Sequence, residues 1–303
     1  MMGVTRVGCA GWSYRDWVGA VYPSHVPAVR WLDAYAELFP IVEIDSTFYA
    51  IPNEATVAGW VDHTKDLPEF RFCAKLPQDL THRALPKGNR IDAQKIIGEF
   101  TQRVIEPLER AGRLETLLVQ LPPTFAIFEA VGPQSAMEAL GVLLADLEPD
   151  RRKIAVEFRH GSWYEHVGER LVPDVLEELT GLHVAAAQVD GLGFRFTQSR
   201  TTPWTYFRLH GRRSVIPPSE RSLSHAPYNY LYTKEEIAEV ASAVRQASVH
   251  DESTIVVFNN HYRGQSAHNA MDLLEALGKP RPRPAAQFKR ESKLDDFGLN
   301  EAQ

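Results

Sequence analysis

Charged and amide residues stand near the ends of several apolar runs in this chain. Residues 41–49 read IVEIDSTFY and residues 153–164 read KIAVEFRHGSWY, so carboxylates interrupt runs of Val, Ile and Phe. A strand that is buried on both faces tolerates a carboxylate only where its end opens into a polar site. The pattern therefore predicts a polar site that is built from strand ends. The same pattern occurs at RFCAK (71–75), LLVQ (117–120), TYFRLHG (205–211) and TIVVFNN (254–260).

Side chains alternate across a strand, so residues two positions apart share a face. Glu43 therefore points to the same side as Asp45, and Glu157 to the same side as Arg159. The outward face of a barrel strand packs under helices and needs apolar residues, which leaves the interior for the polar set. The residues assigned to the interior in this way are Glu43, Asp45, Cys73, Lys75, Gln120, Glu157, Arg159, Gln188, Arg208, His210 and Asn259.

Four of these residues are candidates for catalysis. Glu157 and Glu43 are the acid–base candidates, because burial can raise the pKa of a carboxyl group toward neutrality. Lys75 could act as a base, a carbonyl activator or a Schiff-base amine, since burial among cations lowers the pKa of an ammonium group. His210 could carry a proton. The alternative interpretation is that these charges form ion pairs that plug the barrel.

The other candidates suit ligand binding. Arg159 and Arg208 would hold an anionic group by forked hydrogen bonds, while Gln120 and Asn259 would orient hydroxyl groups. Aromatic residues in the loops suit stacking on a sugar face or a base; alternatively, they seal the top of the core. They are Trp12, Tyr14 and Trp17 after the first strand, Phe48 and Tyr49 after the second, and Trp163 and Tyr164 after the fifth.

The elements that position these residues alternate between strand and helix patterns. Eight strands with intervening helices predict a (β/α)8 TIM barrel. The strands are predicted at 5–9, 41–45, 69–75, 116–120, 154–158, 183–189, 204–210 and 254–258. The helices are predicted at 28–39, 53–64 with Asn53 as cap, 92–111, 133–147, 165–180, 234–248 with Thr233 as cap, and 264–277.

A barrel of this kind has about 250 residues, so we expect residues 1–278 to form one domain. The connection after the sixth strand, GLGFRFTQSR, indicates an extended crossing instead of a helix, and residues 211–231 form a long loop after the seventh. Long loops on this face of a barrel usually line the ligand site. Residues 279–303 are rich in Pro and charge, which predicts an extended or poorly ordered tail.

The composition is that of an ordinary globular protein. The chain has 303 residues, of which 44% are hydrophobic and 24% charged, and its net charge is -6. This charge gives no general attraction to nucleic acid or to anionic membranes. Cys9 and Cys73 lie in apolar runs and are interpreted as buried thiols in a reducing cytosol. No stretch approaches the roughly 18 apolar residues of a membrane span, so we expect a soluble, cytoplasmic protein.

Several strings of the sequence resemble the YecE-like family, also called domain of unknown function 72. They cover roughly residues 7–277 and include VGCAGWSYRDWVGAVYP, VEIDSTFYAIPNEATVAGW, FRFCAKLPQDLTH, LLVQLPPTF, AVEFRHGSWY, YFRLHG and VVFNN. The resemblance implies a TIM barrel with distant similarity to sugar-isomerase-like barrels. It implies no established activity.

The family motifs coincide with many positions that the strand parity selects, and they add His82. One position departs from the pattern, because Asn is expected where this chain has Asp45, which adds a negative charge. The resemblance places functional positions at Trp12, Glu43, Phe48, Tyr49, Lys75, His82, Gln120, Glu157, Arg159, Trp163, Arg208, His210 and Asn259.

The function favoured by these observations is that of an enzyme acting on a sugar or a phosphosugar-like molecule, as an isomerase, epimerase or hydrolase. A nucleic-acid-binding or phosphodiester-cleaving barrel is the first alternative, with phosphate contacts from Arg159, Arg208, Arg212 and Arg213. A non-catalytic ligand sensor is the second. The sequence does not determine the oligomeric state.

No cofactor is firmly implied by the sequence. The chain contains no GxGxxG or Walker pattern for a nucleotide. A divalent metal is the less favoured reading, because the ends of the fourth, sixth and eighth strands offer mainly amides. The donors that such a metal would use are Glu157, Asp190 and His210, with His82 and His160 as additional ligands.

Overall fold

The computed structural model describes residues 3–132, 134–166, 169–191, 193–213 and 226–283. Parallel strands form a barrel, as the sequence predicts. The barrel strands are β1 (Val4–Ala10), β2 (Ile41–Ile44), β3 (Arg71–Lys75), β4 (Leu114–Gln120), β7 (Ile154–Glu157), β10 (Ala185–Ala186), β11 (Gln188–Gly191), β12 (Trp204–Gly211) and β13 (Ser253–Phe258). Two antiparallel hairpins, β5 (Ala130–Val131) with β6 (Gln134–Ser135) and β8 (Tyr164–His166) with β9 (Arg170–Leu171), lie in the connections.

The sixth barrel strand is divided into β10 and β11. β10 pairs with β7, whereas β11 pairs with β12. Ala187 lies between the two halves, and its N–H donates to the carbonyl oxygen of Val156 at 2.9 Å. Together, β10 and β11 occupy one strand position that pairs with both edges of the sheet. Within the described residues, the nine barrel strands therefore fill the eight positions of the predicted barrel.

Helices cover the outside of the barrel, and polar caps fix several of their starts. Asn53 accepts a hydrogen bond from the N–H of Thr56, and Thr233 forms a capping box with Glu236; these caps satisfy N–H groups that the helices leave unpaired. None of the helices in the described ranges is long and apolar enough to cross a membrane. The helices are α1 (Trp31–Ala36), α2 (Ser46–Tyr49), α3 (Glu54–His63), α4 (Arg90–Phe100), α5 (Glu106–Arg110), α6 (Ala136–Asp146), α7 (Pro173–Gly181), α8 (Lys234–His250) and α9 (Gln265–Ala276).

The main correction concerns the helix predicted at 165–180. The structure has the β8–β9 hairpin first, with Tyr164 paired to Leu171, and the helix starts at Pro173. Proline is favoured at the first helical position because its missing N–H would be unpaired there. The predicted helix 92–111 is α4 and α5, joined by a π-helical segment at Thr101–Ile105.

The two irregular connections are described in part. Residues 193–203, after the sixth barrel strand, contain no helix, as predicted. In the long loop after β12, residues 214–225 lie outside the described part of the chain, as do residues 284–303 of the predicted tail.

Ion pairs close the amino-terminal end of the barrel. Lys153, just before β7, places Nζ 3.0 Å from Glu115 Oε1 and 2.8 Å from Ser253 Oγ of β13. Arg6 of β1 approaches the other oxygen of Glu115 at 3.6 Å. This end is therefore occupied by structural charges, which leaves the carboxyl-terminal end for a ligand site.

Gly8 allows β1 and β2 to be tied together by a tyrosine. The hydroxyl of Tyr35 accepts from the N–H of Cys9 at 2.7 Å and donates to the carbonyl of Ile41 at 2.8 Å. A methyl group at Gly8 would lie 2.0 Å from the Ile41 oxygen and 2.9 Å from the Tyr35 hydroxyl. The backbone must therefore move to accept any side chain at this position.

We expect Gly8→Ala to lower the free energy of unfolding by about 1–3 kcal/mol, because of this overpacking. Urea denaturation measures the change. Gly98→Ala is the matched control, since a methyl group there meets nothing within 4 Å on the exposed side of α4; it should stabilise the protein by about 0.5–1 kcal/mol. Equal effects of the two substitutions would contradict the packing at Gly8.

Candidate functional site

Arg208 of β12 is the centre of a buried polar network. Its side chain is fully buried, and Nε and Nη2 donate to Glu43 Oε2 at 3.0 Å and to Glu43 Oε1 at 2.6 Å. Nη1 donates to Gln120 Oε1 at 3.0 Å and to Glu157 Oε2. One guanidinium group thus connects β12 with β2, β4 and β7, as the inward parity of these residues predicts.

Glu43 is a structural partner of this network. Both of its carboxylate oxygens bind Arg208, and Oε2 also accepts from the hydroxyl of Tyr206 at 2.7 Å. The residue is fully buried. The geometry does not support the predicted acid–base role for Glu43, because these partners engage both oxygens beneath the mouth of the barrel.

The neighbours of Glu157 stabilise its ionised form. Burial is the largest single influence on this carboxyl group and raises its pKa, but the opposing effects of Arg208, His210 and Arg159 together outweigh burial. The pKa of Glu157 therefore lies well below its ordinary value. The expectation that burial raises this pKa toward neutrality is wrong, because a buried cation bonds directly to the carboxylate.

His210 stands between Glu157 and Asn259. Asn259 Nδ2 lies 3.1 Å from His210 Nδ1, and since an amide nitrogen only donates, Nδ1 accepts and Nε2 carries the hydrogen. Nε2 is 3.3 Å from Glu157 Oε1 without a well-aligned hydrogen bond. Burial lowers the pKa of His210 to about 4, although Glu157 opposes this change. The imidazole is therefore neutral at pH 7.

Accessible charges lie at the mouth, above the buried network. Lys75 Nζ at the end of β3 is 2.9 Å from Asp45 Oδ1, and a fifth of the Asp45 side chain is exposed. Burial raises the pKa of Asp45, but the charge and hydrogen bond of Lys75, together with Arg208 and His261, outweigh burial and leave the pKa below its ordinary value. Arg159 is equally exposed and donates to Glu157 Oε1 at 3.2 Å. The direct partner of Lys75 is thus a carboxylate, whereas the sequence interpretation placed it among cations.

Aromatic rings flank these charges. The ring of His261 stacks between Tyr14 and Tyr228, with centroid distances of 4.5 and 4.6 Å. Burial raises the pKa of Tyr228, and the charge of Asp45 adds to this increase. Phe48 lies under Lys75, with Nζ 4.0 Å from the ring centroid. The sequence analysis missed Tyr228 and His261, although YNYLY in the long loop after β12 was the available signal.

Of the predicted aromatic residues, Trp163 lies in the core and Trp12 packs against a helix. Trp163 is fully buried, donates from Nε1 to the Phe125 carbonyl at 2.7 Å and stacks on Phe158 at 4.7 Å. Trp12 packs edge-on against Trp60 of α3 at 5.7 Å. Their positions agree with the alternative that these rings seal the core. Tyr49, by contrast, is 64% exposed and contacts Phe48 edge-on.

The residues of the nucleic-acid and metal alternatives have other partners. Arg212 Nε bonds to Asp190 Oδ2 at 2.9 Å and Nη1 to Glu239 at 2.6 Å, while Arg213 donates to the Ala226 carbonyl. His160 Nδ1 lies 2.8 Å from Ser162 Oγ in its own loop. Within the described ranges, no group of three or more His, Cys, Asp or Glu side chains is placed to hold a metal ion.

Comparisons with known proteins agree with this fold. The family model described as "Protein of unknown function DUF72" matches residues 6–292. The UPF0759 protein YunF of Bacillus subtilis (strain 168) is 26% identical over 285 residues, which cover 89% of this chain and 94% of that protein. The UPF0759 protein YecE of Escherichia coli (strain K12) is 32% identical over 158 residues, 52% of this chain and 49% of that protein.

A solved structure extends the agreement to three dimensions. The crystal structure of a DUF72 family protein from Thermotoga maritima superposes with a TM-score of 0.76 at 31% identity. The match covers 91% of this chain and all of that chain. The predicted family and the predicted barrel fold are both confirmed.

Replacing Arg208 by methionine should lower the free energy of unfolding by about 3–5 kcal/mol, because Glu43 would remain buried without a counter-charge and Glu157 would keep only Arg159. Chemical denaturation at pH 7 measures the loss. Arg151→Met is the control, since its ion pair with Glu148 is exposed and an exposed pair contributes about 0–1 kcal/mol. A similar loss in both variants would contradict the central role of Arg208.

Acidification should destabilise the protein through His210. Between pH 6.5 and 4 the unfolded chain binds a proton at this residue and the native state does not, so the free energy of unfolding falls as the pH falls. For a fully buried imidazole with this pKa the loss is on the order of 3 kcal/mol. Denaturation curves at pH 7, 5.5 and 4.5 should show a smaller loss in His210→Gln. The exposed control His25→Gln should keep the wild-type slope; an unchanged slope in His210→Gln would refute the assignment.

Proposed function

We propose that this chain, which belongs to the DUF72 family of proteins of unknown function, is an enzyme that binds a small, hydroxylated, anionic molecule and moves protons on it. The ligand class is that of sugars and sugar phosphates. The observation that carries the proposal is the set of partly accessible charges of both signs, Asp45 and Arg159, at the ends of β2 and β7 above a buried, paired network. Active sites of (β/α)8 barrels lie at this end.

Arg159 supports the anionic character of the ligand. Its bond to Glu157 uses one of the five N–H donors of a guanidinium group. Since Glu157 is itself fixed by Arg208, Arg159 is held from below while a fifth of its side chain remains exposed at the mouth. Such a pre-oriented fork suits a phosphate or a carboxylate. Lys75, at the end of β3, adds a second positive charge at this end of the barrel.

Asp45 and the rings support a hydroxylated ligand. An ionised carboxylate accepts hydrogen bonds from hydroxyl groups, and Asp45 is partly exposed beside the ammonium group of Lys75. The rings of Tyr228 and Tyr49 offer flat surfaces for the apolar face of a sugar. The departure from the family pattern, Asp in place of Asn, therefore adds a charged acceptor in this chain.

His210 supports proton chemistry at the floor of the pocket. A neutral imidazole whose Nε2–H lacks a well-aligned acceptor is available to polarise a carbonyl group. Asn259 orients this imidazole, whereas Glu157 orients Arg159 and, with its pKa held low, does not act as a proton donor. Isomerisation, epimerisation and hydrolysis all require such an acid–base set.

The nucleic-acid alternative has less support. Of its four proposed phosphate contacts, Arg208 is fully buried and Arg212 is paired with Asp190 and Glu239. Arg213 donates to a carbonyl group of its own loop. Of the four arginines, this leaves Arg159 as an accessible phosphate contact. A single cation is less than the extended basic surface that binds a nucleic-acid backbone.

The proposal predicts that a sugar phosphate raises the melting temperature of the wild-type protein and that Arg159→Ala abolishes the effect. A ligand at 100 times its Kd stabilises by about 2.7 kcal/mol, or about 2 °C or more for a chain of this size. Arg151→Ala, far from the mouth on an exposed turn, is the matched control and should respond like the wild type. NMR of the ligand after incubation distinguishes turnover from binding alone.

Three outcomes would favour other functions. Stabilisation by oligonucleotides alone, weakening with added salt, would favour nucleic-acid processing. A bound ligand that remains chemically unchanged would favour a sensor. Equal stabilisation of Arg159→Ala and the wild type by the sugar phosphate would show that Arg159 does not bind the ligand.

A further inference from the structure

His82 lies in a π-helical turn, Asp79–Ala84, that follows β3 at the mouth of the barrel. Such turns are rare and occur frequently at functional sites. The side chain is half-buried, and its Nδ1 is 2.8 Å from the hydroxyl oxygen of Thr81. That hydroxyl also lies 3.3 Å from the carbonyl oxygen of Pro77. The local turn therefore fixes the orientation of the imidazole.

The two contacts of the Thr81 hydroxyl favour one tautomer of His82. The Thr81 hydroxyl has one proton, and both of its contacts are satisfied when that proton goes to the Pro77 carbonyl. Nδ1 of His82 then carries a hydrogen and donates it to Thr81. Nε2 is left with a free lone pair, which is the form of an imidazole that accepts a proton.

Two cations from other elements act on this imidazole. His82 packs edge-on against Phe48 at 5.0 Å, and Lys75 Nζ lies over the same ring at 4.0 Å. Burial lowers the pKa of His82 to about 4, and the charges of Lys75 and Arg159 contribute. Asp45 is bonded to Lys75, and within the π-helical turn Asp79 is bonded to Arg83. In the free protein His82 is therefore a neutral imidazole beside two positive charges.

We propose that His82 is a further catalytic residue of this pocket, which accepts a proton from the ligand when the ligand places an anionic group beside Lys75 and Arg159. The inference rests on the proposed function and restricts its substrate class to sugar phosphates and sugar acids, since a neutral sugar brings no negative charge to offset the effect of the two cations on His82. In the reaction, a C–H or O–H bond of the ligand breaks, its electron pair stays on the ligand, and an N–H bond forms at Nε2.

The physical reason is electrostatic. Protonated His82 in the free protein would add a positive charge to a site that already holds Lys75 and Arg159, and a bound anion beside these cations would offset the repulsion. The binding of the anion and the gain of the proton are thus linked. A charged substrate therefore raises the basicity of the group that acts on it, whereas a neutral analogue does not.

Titration of the histidine Cε1 signals by NMR tests this coupling with sulfate, an anion that does not itself titrate in the range used. The His82 signal is assigned by its absence in His82→Gln. With saturating sulfate, the pKa of His82 should rise by about one pH unit or more. In Arg159→Ala the pKa should already be higher in the free protein, and sulfate should change it less. The exposed His25 is the internal control.

The melting temperature, measured in the same samples, separates the possible failures. If sulfate stabilises the wild type but not Arg159→Ala, and the titration of His82 does not change, the role of His82 is wrong and the anion site stands. If sulfate changes neither quantity, the anion site and the proposed function fail together. His82→Gln should lower kcat for a sugar phosphate substrate while keeping the stabilisation by sulfate; an unchanged kcat would overturn the proposal.

Discussion

The buried guanidinium group of Arg208 is the interaction on which the interior of this barrel depends. It occupies a fully buried position and bonds to Glu43, Glu157 and Gln120, each on a different strand. A charge removed from water is costly unless it is paired and hydrogen-bonded. Each member of the network therefore requires the others, and four strand ends are held in one register by side chains as well as by the backbone.

Because buried charges must be paired, the network around Arg208 is structural. The partly exposed charges at the mouth are the ones that could face a ligand. Glu157 stands at the boundary, because one carboxylate oxygen binds Arg208 and the other approaches Arg159 and His210. Glu157 therefore connects the buried network around Arg208 with Arg159 at the mouth of the barrel. Arg159 is thereby positioned without a long ordered loop of its own. Pre-oriented charges of this kind bind and polarise a ligand with little reorganisation.

Charged residues lie at both ends of the barrel, but they differ in exposure. At the amino-terminal end, Lys153 joins Glu115 and Ser253 across the interior and closes it. At the carboxyl-terminal end, Asp45 and Arg159 remain partly exposed, and a stack of three rings joins the loops after β1, β12 and β13. The proposed ligand site lies where paired charges remain partly exposed.

The sequence by itself determined the barrel and its inward polar residues, because alternation of strands with helices and the two-residue period of a strand are local properties. It could not determine which charges would pair: Glu43 and Arg208 are 165 residues apart, and the sign of the Glu157 pKa change depends on that encounter. The hairpin at Tyr164–Leu171 and the burial of Trp163 depend likewise on packing against distant elements. Only the tertiary structure decided which groups are ionised and which residues are accessible. Both the pKa and the solvent exposure of a residue depend on all the groups that surround it in the folded chain.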